Sequence, residues 1–125
     1  MKTVIKTELA PKAIGPYSQA IMLGDLLFAS GQIAIDPTKG EIVEGGIEAQ
    51  TPQVMENIKN ILSTAGMGFS DVVKTMIFLT DLKNFALVND IYGRYFSQEP
   101  PARSCVEVSS LPKGALIEIE VIAHK

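Results

Sequence analysis

The sequence predicts an α+β domain, a mixed sheet with two helices packed on one face. Three observations predict it. Paired strand-like segments stand at both ends of the chain, two segments of helical period lie between them, and a β-rich run separates the two helical segments. The predicted order is β-β-β-α-β-α-β-β within a single domain spanning residues 1–125.

Residues Thr3–Lys6 form a short edge strand. Tyr17–Leu23 and Leu26–Gln32 flank Gly24-Asp25, a two-residue hairpin signal. Asp36-Pro37-Thr38-Lys39-Gly40 is rich in turn formers and predicts a loop. From Ile47 to Ala65 the period changes: Ile47, Thr51, Val54, Ile58, Ile61/Leu62 and Ala65 recur at three and four, one face of a helix. Pro52 fits that helix only near its first turn, where a missing N–H costs nothing. Gly66 suits the C-terminal stop. Asp71–Thr80 contains an apolar, β-branched run that predicts a central strand. A second amphipathic helix runs from Asn84 to Phe96, with Phe85, Val88, Tyr92 and Phe96 on its apolar face.

The closing segments, Pro101–Val108 and Leu116–Ile122, predict two adjacent strands joined by a tight connection. Arg103 and the lone Cys105 share one face of the first strand, and Glu118 and Glu120 share one face of the second. A turn about Leu111-Pro112 would set Cys105 opposite Glu118 and Arg103 opposite Glu120. A slip of one residue reverses the faces.

Composition narrows the function classes. The chain has 125 residues, of which 46% are hydrophobic and 20% charged. Mean hydropathy is +0.21. That is a core plus surplus apolar surface, which predicts self-association through the sheet. Net charge is −3 and no Lys/Arg cluster is visible, which counts against nucleic-acid binding. One cysteine excludes an intramolecular disulfide. The start, Met1-Lys2-Thr3-Val4-Ile5-Lys6, has no apolar run of signal-peptide length, and no segment approaches a membrane span; the expectation is a cytoplasmic protein without membrane contact. His124, the one histidine, lies beside the C-terminus, so histidine-based zinc sites and Ser-His-Asp catalysis lack their parts.

The candidate chemistry rests on few residues. Arg103 can hold a carboxylate by two parallel hydrogen bonds, or it is a surface arginine. A desolvated Glu118 or Glu120 would serve as acid or base; the plainer role is the wet face of an edge strand. Cys105 has no histidine to activate it and fits a small buried side chain better, with its backbone N–H of more interest than its sulfur. Gly31, in Ser30-Gly31-Gln32, permits a ligand to approach backbone. Tyr17 follows the Gly15-Pro16 turn and offers a ring and a hydroxyl, or is a core aromatic. Asn89 lies in the second helix among apolar neighbours, as a polar anchor or a solvent-facing residue.

These pieces together resemble the Rid (RidA/YjgF) family of imine/enamine deaminases, over essentially the full length. The landmarks are Ala13–Ala20 (AIGPYSQA), Ala29–Ile33 (ASGQI), Asn57, Val73-Lys74-Thr75, Asp81-Leu82, Pro101–Val108 (PARSCVEV) and Ile117-Glu118-Ile119. The resemblance implies a chorismate-mutase-like homotrimer with a central barrel, helices outside and ligand clefts between subunits. It implies cofactor-independent hydrolysis of 2-iminoacids, tautomers of enamines such as 2-aminoacrylate, to 2-ketoacids and ammonia, with no metal. In that reading Arg103 holds the substrate carboxylate and Glu118 activates water. Tyr17, Ser30, Gly31, Asn89 and the Cys105 backbone shape the pocket. A non-enzymatic ketoacid-binding regulator would use the same cleft. A ribonuclease or translation inhibitor fits the acidic composition poorly, and a chaperone-like role is permitted but not specified.

Overall fold

Alternating burial along the strands and a 3.6-residue period between them build one six-stranded sheet with both helices on one side. The computed structural model describes all 125 residues. Its strands are β1 (Lys2–Ile5), β2 (Ala20–Leu23), β3 (Leu26–Gln32), β4 (Ile35–Asp36), β5 (Glu41–Ile42), β6 (Val72–Leu79), β7 (Ala102–Glu107) and β8 (Ile117–His124). The helices are α1 (Gly46–Thr64) and α2 (Phe85–Gly93). The main sheet has the order β1-β2-β3-β8-β6-β7. Only β6 and β7 run parallel, and the other pairs are antiparallel.

The α+β prediction and the order of the main elements hold, and the loop predicted at Asp36–Gly40 is the turn of an added hairpin of two-residue strands, β4–β5. Gly24 turns the β2–β3 hairpin with φ +60°. The strand predicted from Tyr17 begins only at Ala20, because the Gly15–Ser18 turn occupies the preceding residues. Helix α1 ends at Gly66, whose φ of +75° no β-carbon favours. There the Gly66 N–H donates to the Ser63 carbonyl at 3.0 Å and the Met67 N–H to that of Leu62 at 2.9 Å, a Schellman closure. Pro52 departs from expectation: it lies inside the helix, beyond the first turn, and so withholds an N–H from the carbonyl of Glu48. Helix α2 is shorter than predicted. A 3-10 turn, Leu82–Asn84, precedes it, and it stops at Gly93.

The closing strands are the main correction. They are not a hairpin, because β6 lies between them. Arg103 pairs with Thr75 and Cys105 with Ile77, while Glu118 pairs with Phe78 and Glu120 with Met76. The expected pairs Cys105–Glu118 and Arg103–Glu120 therefore do not form. The physical reason is the helix between β6 and β7, which carries the chain across the sheet and lays β7 parallel beside β6. The nine residues 108–116 then pass the end of β6 to reach its other edge.

The core lies between helices and sheet: Val54, Ile58, Ile61 and Leu62 of α1 meet Leu27, Ile77, Ile117 and Ile119 of the strands. The opposite sheet face is uncovered in the single chain. Phe28 and Val106 are exposed there, with Met76, Phe78 and Ile122 half-buried. No helix is long and apolar enough to cross a membrane.

One buried polar group fixes the region that leads to the site. Asn57 of α1 is fully buried. Its amide donates to the Ile33 and Ile35 carbonyls at 3.2 and 2.9 Å and accepts from Gln53 at 2.9 Å. It thereby ties α1 to the backbone where β3 passes into β4. Asn57→Ala should destabilise the protein by about 2 kcal/mol, because the buried Ile35 carbonyl loses the Asn57 donor and the Gln53 amide loses its acceptor. Urea unfolding at fixed protein concentration measures it, and an unchanged midpoint would contradict this role.

Candidate active site

Arg103 enters from the edge strand β7, on the sheet face covered by α2. Phe85, Asn89 and Tyr92 are spaced i, i+4, i+7 along α2 and form one stripe facing it. The guanidinium Nη1 donates to Asn89 Oδ1 at 2.7 Å. Its carbon lies 5.4 Å from the Phe85 ring centroid and 5.1 Å from that of Tyr92, both within cation–π range. Behind it, the Tyr92 hydroxyl and Thr75 Oγ1 share a buried hydrogen bond of 2.7 Å. No carboxylate neutralises this arginine: the ion pairs of the chain are Lys59–Glu56 and Arg94–Asp90. A half-buried, oriented and unpaired guanidinium is able to take an anion.

Cys105 shares the Arg103 face, as the sequence predicts. Burial pushes its thiol pKa up, against a smaller downward pull from Arg103. The thiol is therefore held neutral and is a poor nucleophile.

Glu118 stands on the opposite face, at a cleft of about 550 Å³. Tyr17, Ser30, Gly31 and Glu118 line it, with Lys12 and Lys113 among the charged lining residues. Burial first, and the Glu120 carboxylate second, raise the Glu118 pKa above the usual carboxylate value. Gly31 leaves room for the Glu118 carboxylate: a β-carbon on it would push that carboxylate out of its present position. The β3–β8 register shifts between Ala29 and Gln32, so Ser30-Gly31 leaves the regular ladder beside Glu118. Ser30 Oγ donates to the Ser18 carbonyl at 2.6 Å, and the Ser30 N–H donates to that of Gln19 at 2.9 Å. The Tyr17 hydroxyl accepts from the Ile14 N–H at 3.2 Å and closes the turn at the cleft's rim. Gln19, buried, accepts from the Thr7 N–H at 2.7 Å and donates to the Thr7 and Pro11 carbonyls, which holds the 7–11 segment against this wall.

Two groups of residues result. Arg103, Asn89 and Cys105 come together on one face, and Tyr17, Ser30, Gly31 and Glu118 on the other. The sequence reading missed Thr75, Phe85 and Tyr92 as neighbours of Arg103. Its helical periodicity already placed Phe85 and Tyr92 on one stripe, but nothing in the pattern tells a ring that packs in the core from one that lies against a cation.

This sheet order and helix placement define a Rid-type α+β domain. The structure superposes on the Rid protein YyfA of Yersinia pestis with a TM-score of 0.98 and 56% identity over the whole of both chains. It superposes on Escherichia coli TdcF, solved with bound serine, with a TM-score of 0.94 and 42% identity over 98% of each chain. The family model described as Endoribonuclease L-PSP matches residues 7–125, and the chain belongs to that family, the Rid (YjgF/RidA) family. A RutC family protein of Pyrococcus horikoshii is 58% identical over 125 residues, covering 100% of this chain and 99% of its own. The human 2-iminobutanoate/2-iminopropanoate deaminase is 46% identical over 123 residues, covering 98% of this chain and 90% of its own.

Proposed function

We infer that this chain is a cofactor-independent 2-iminobutanoate/2-iminopropanoate deaminase, acting as a homotrimer with sites shared between subunits. The observation that carries the reading is the pair of half-sites: an unneutralised Arg103 on one sheet face and a desolvated Glu118 in a cleft on the other. One chain cannot close them on one small ligand, because strand residues of opposite parity point to opposite faces. A second copy seated on the uncovered apolar face would bring its edge-strand arginine to the first copy's cleft. The human and bovine relatives, deaminases at 46% and 44% identity, support the reaction. The serine bound by TdcF supports a ligand that carries a carboxylate.

The chemistry needs no covalent nucleophile. Arg103 binds the substrate carboxylate and orients the iminium carbon. Glu118, ionised, takes a proton from water as the oxygen bonds to that carbon. It passes the proton to nitrogen, and then takes the hydroxyl proton of the carbinolamine as the C–N bond breaks. The products are a 2-ketoacid and ammonia, which leaves as ammonium with the remaining proton.

The test is a coupled assay in which an amino-acid oxidase generates a 2-iminoacid in situ and its decay is followed. Acceleration by the protein is expected. Binding of 2-oxobutanoate without acceleration would replace this reading with a ketoacid-binding regulator. A ribonuclease reading has less support: net charge is −3 and the one histidine is exposed near the C-terminus.

A further inference from the structure

Thr75 and Tyr92 make the one hydrogen bond between side chains that is wholly buried in this protein. Thr75 is 1% exposed and Tyr92 5%. Their placement is specific. Thr75 is the register partner of Arg103 on β6, and Tyr92 presents its ring 5.1 Å from the guanidinium carbon. The bond therefore joins the strand that carries Arg103's neighbour to the helix that carries Arg103's ring and its Asn89 acceptor.

Stability alone is a weak reason for such a bond. A buried pair replaced at both ends by apolar groups of the same shape is close to neutral for stability. Valine and phenylalanine would fill these two positions with nearly the same volume. What a valine–phenylalanine pair would lose is direction. Without the hydroxyl bond the Tyr92 ring keeps its packing, including the Phe96 ring 4.7 Å away, but loses its one directional tie to β6.

We propose that Tyr92, anchored by Thr75, is a positioning residue for Arg103: it holds the guanidinium at one orientation so that its free N–H groups meet the substrate carboxylate in one plane. This rests on the deaminase reading for its consequence in turnover, but not for its consequence in the geometry of Arg103. Asn89 fixes one N–H of the fork, and the Tyr92 ring limits rotation of the plane about that bond. A fork held in this way loses less entropy when it captures a carboxylate.

The experiment uses the double variant Thr75→Val/Tyr92→Phe, which leaves no buried hydroxyl unpaired, beside the single variant Tyr92→Phe. The chain has two arginines, Arg94 and Arg103. Nitrogen-15 spectra of arginine-labelled protein therefore carry one site signal and one internal control, since Arg94 pairs with Asp90 on the surface. Restricted guanidinium rotation is expected for Arg103 in the wild type and measurably faster rotation in the double variant, with Arg94 unchanged. In the coupled assay the double variant should raise KM about tenfold while kcat stays within about threefold, the pattern of a weakened ground-state anchor. Unchanged Arg103 rotation together with unchanged KM would overturn the proposal. A wild type without turnover would remove the deaminase reading alone. The rotation measurement, and 2-oxobutanoate affinity in place of KM, would still decide the role of Tyr92.

Discussion

Arg103→Ala is expected to lower kcat/KM for 2-iminobutanoate by about a thousandfold, corresponding to about 4 kcal/mol of lost interaction with the substrate carboxylate. The size follows from what surrounds the guanidinium. It is half-buried, unpaired by any carboxylate, held by Asn89 at 2.7 Å and flanked by Phe85 and Tyr92. Nothing else on that face offers a charged fork. The fold should survive, because Arg103 lies on an edge strand outside the apolar core cluster. Arg103→Lys separates charge from shape: it keeps the cation but not the planar fork, and should recover only a small part of the activity. Steady-state kinetics on folded variants decide this, and an alanine variant with wild-type kcat/KM would remove Arg103 from the site.

Glu118→Gln is the second large effect. Glutamine has nearly the same shape, so it keeps the contact with Gly31, but it cannot accept the proton of water. We expect kcat to fall by about a thousandfold while the affinity for a 2-ketoacid stays within about threefold. The pH profile supplies an independent check. The active form of Glu118 is the ionised one, and burial with the neighbouring Glu120 raises its pKa. Activity should therefore decline on the acid side at higher pH than an ordinary carboxylate would give. Glu120→Gln removes one of the two causes and should move that acid limb to lower pH. An acid limb that Glu120→Gln leaves in place would show that Glu120 does not contribute and that burial alone raises the pKa.

The parts of this arrangement visible in the sequence were those set by local rules. Gly24-Asp25 marked the β2–β3 hairpin, the three-four spacing marked both helices, and Gly66 marked the end of α1. Strand alternation placed Arg103 with Cys105 and Glu118 with Glu120. What local rules could not supply was which strands are neighbours. The last two strands look like a hairpin because they are consecutive, yet each bonds to β6 instead. A signal was present: a helix between β6 and β7 favours parallel neighbours, and residues 108–116 are too long for a tight turn. The ends of that loop confirm its path, since the Val108 N–H donates to Leu79 at 2.8 Å and the Thr80 N–H to Leu116 at 3.2 Å. The error mattered for the site, because a hairpin would have set Arg103 and a glutamate side by side in one chain. The registers through β6, which align Arg103 with Thr75 and Val121 but Glu118 with Phe78 and Val106, set Arg103 and Glu118 on opposite faces instead. Gly31 lines the cleft, and the contact the sequence does not reveal is the one with the Glu118 carboxylate. Such a contact depends on two strands meeting and leaves no trace in either alone.

The shared site is the central claim, and subunit mixing tests it most directly. Arg103→Ala and Glu118→Gln subunits, each inactive alone, would be co-expressed with different tags and purified through both. If each site takes its arginine from one subunit and its glutamate from another, every mixed trimer that carries both tags holds one intact site in three, so about a third of the wild-type sites are restored. Recovered hydrolysis near that level is the predicted result. Mixed assemblies that contain both variants and remain inactive would contradict it.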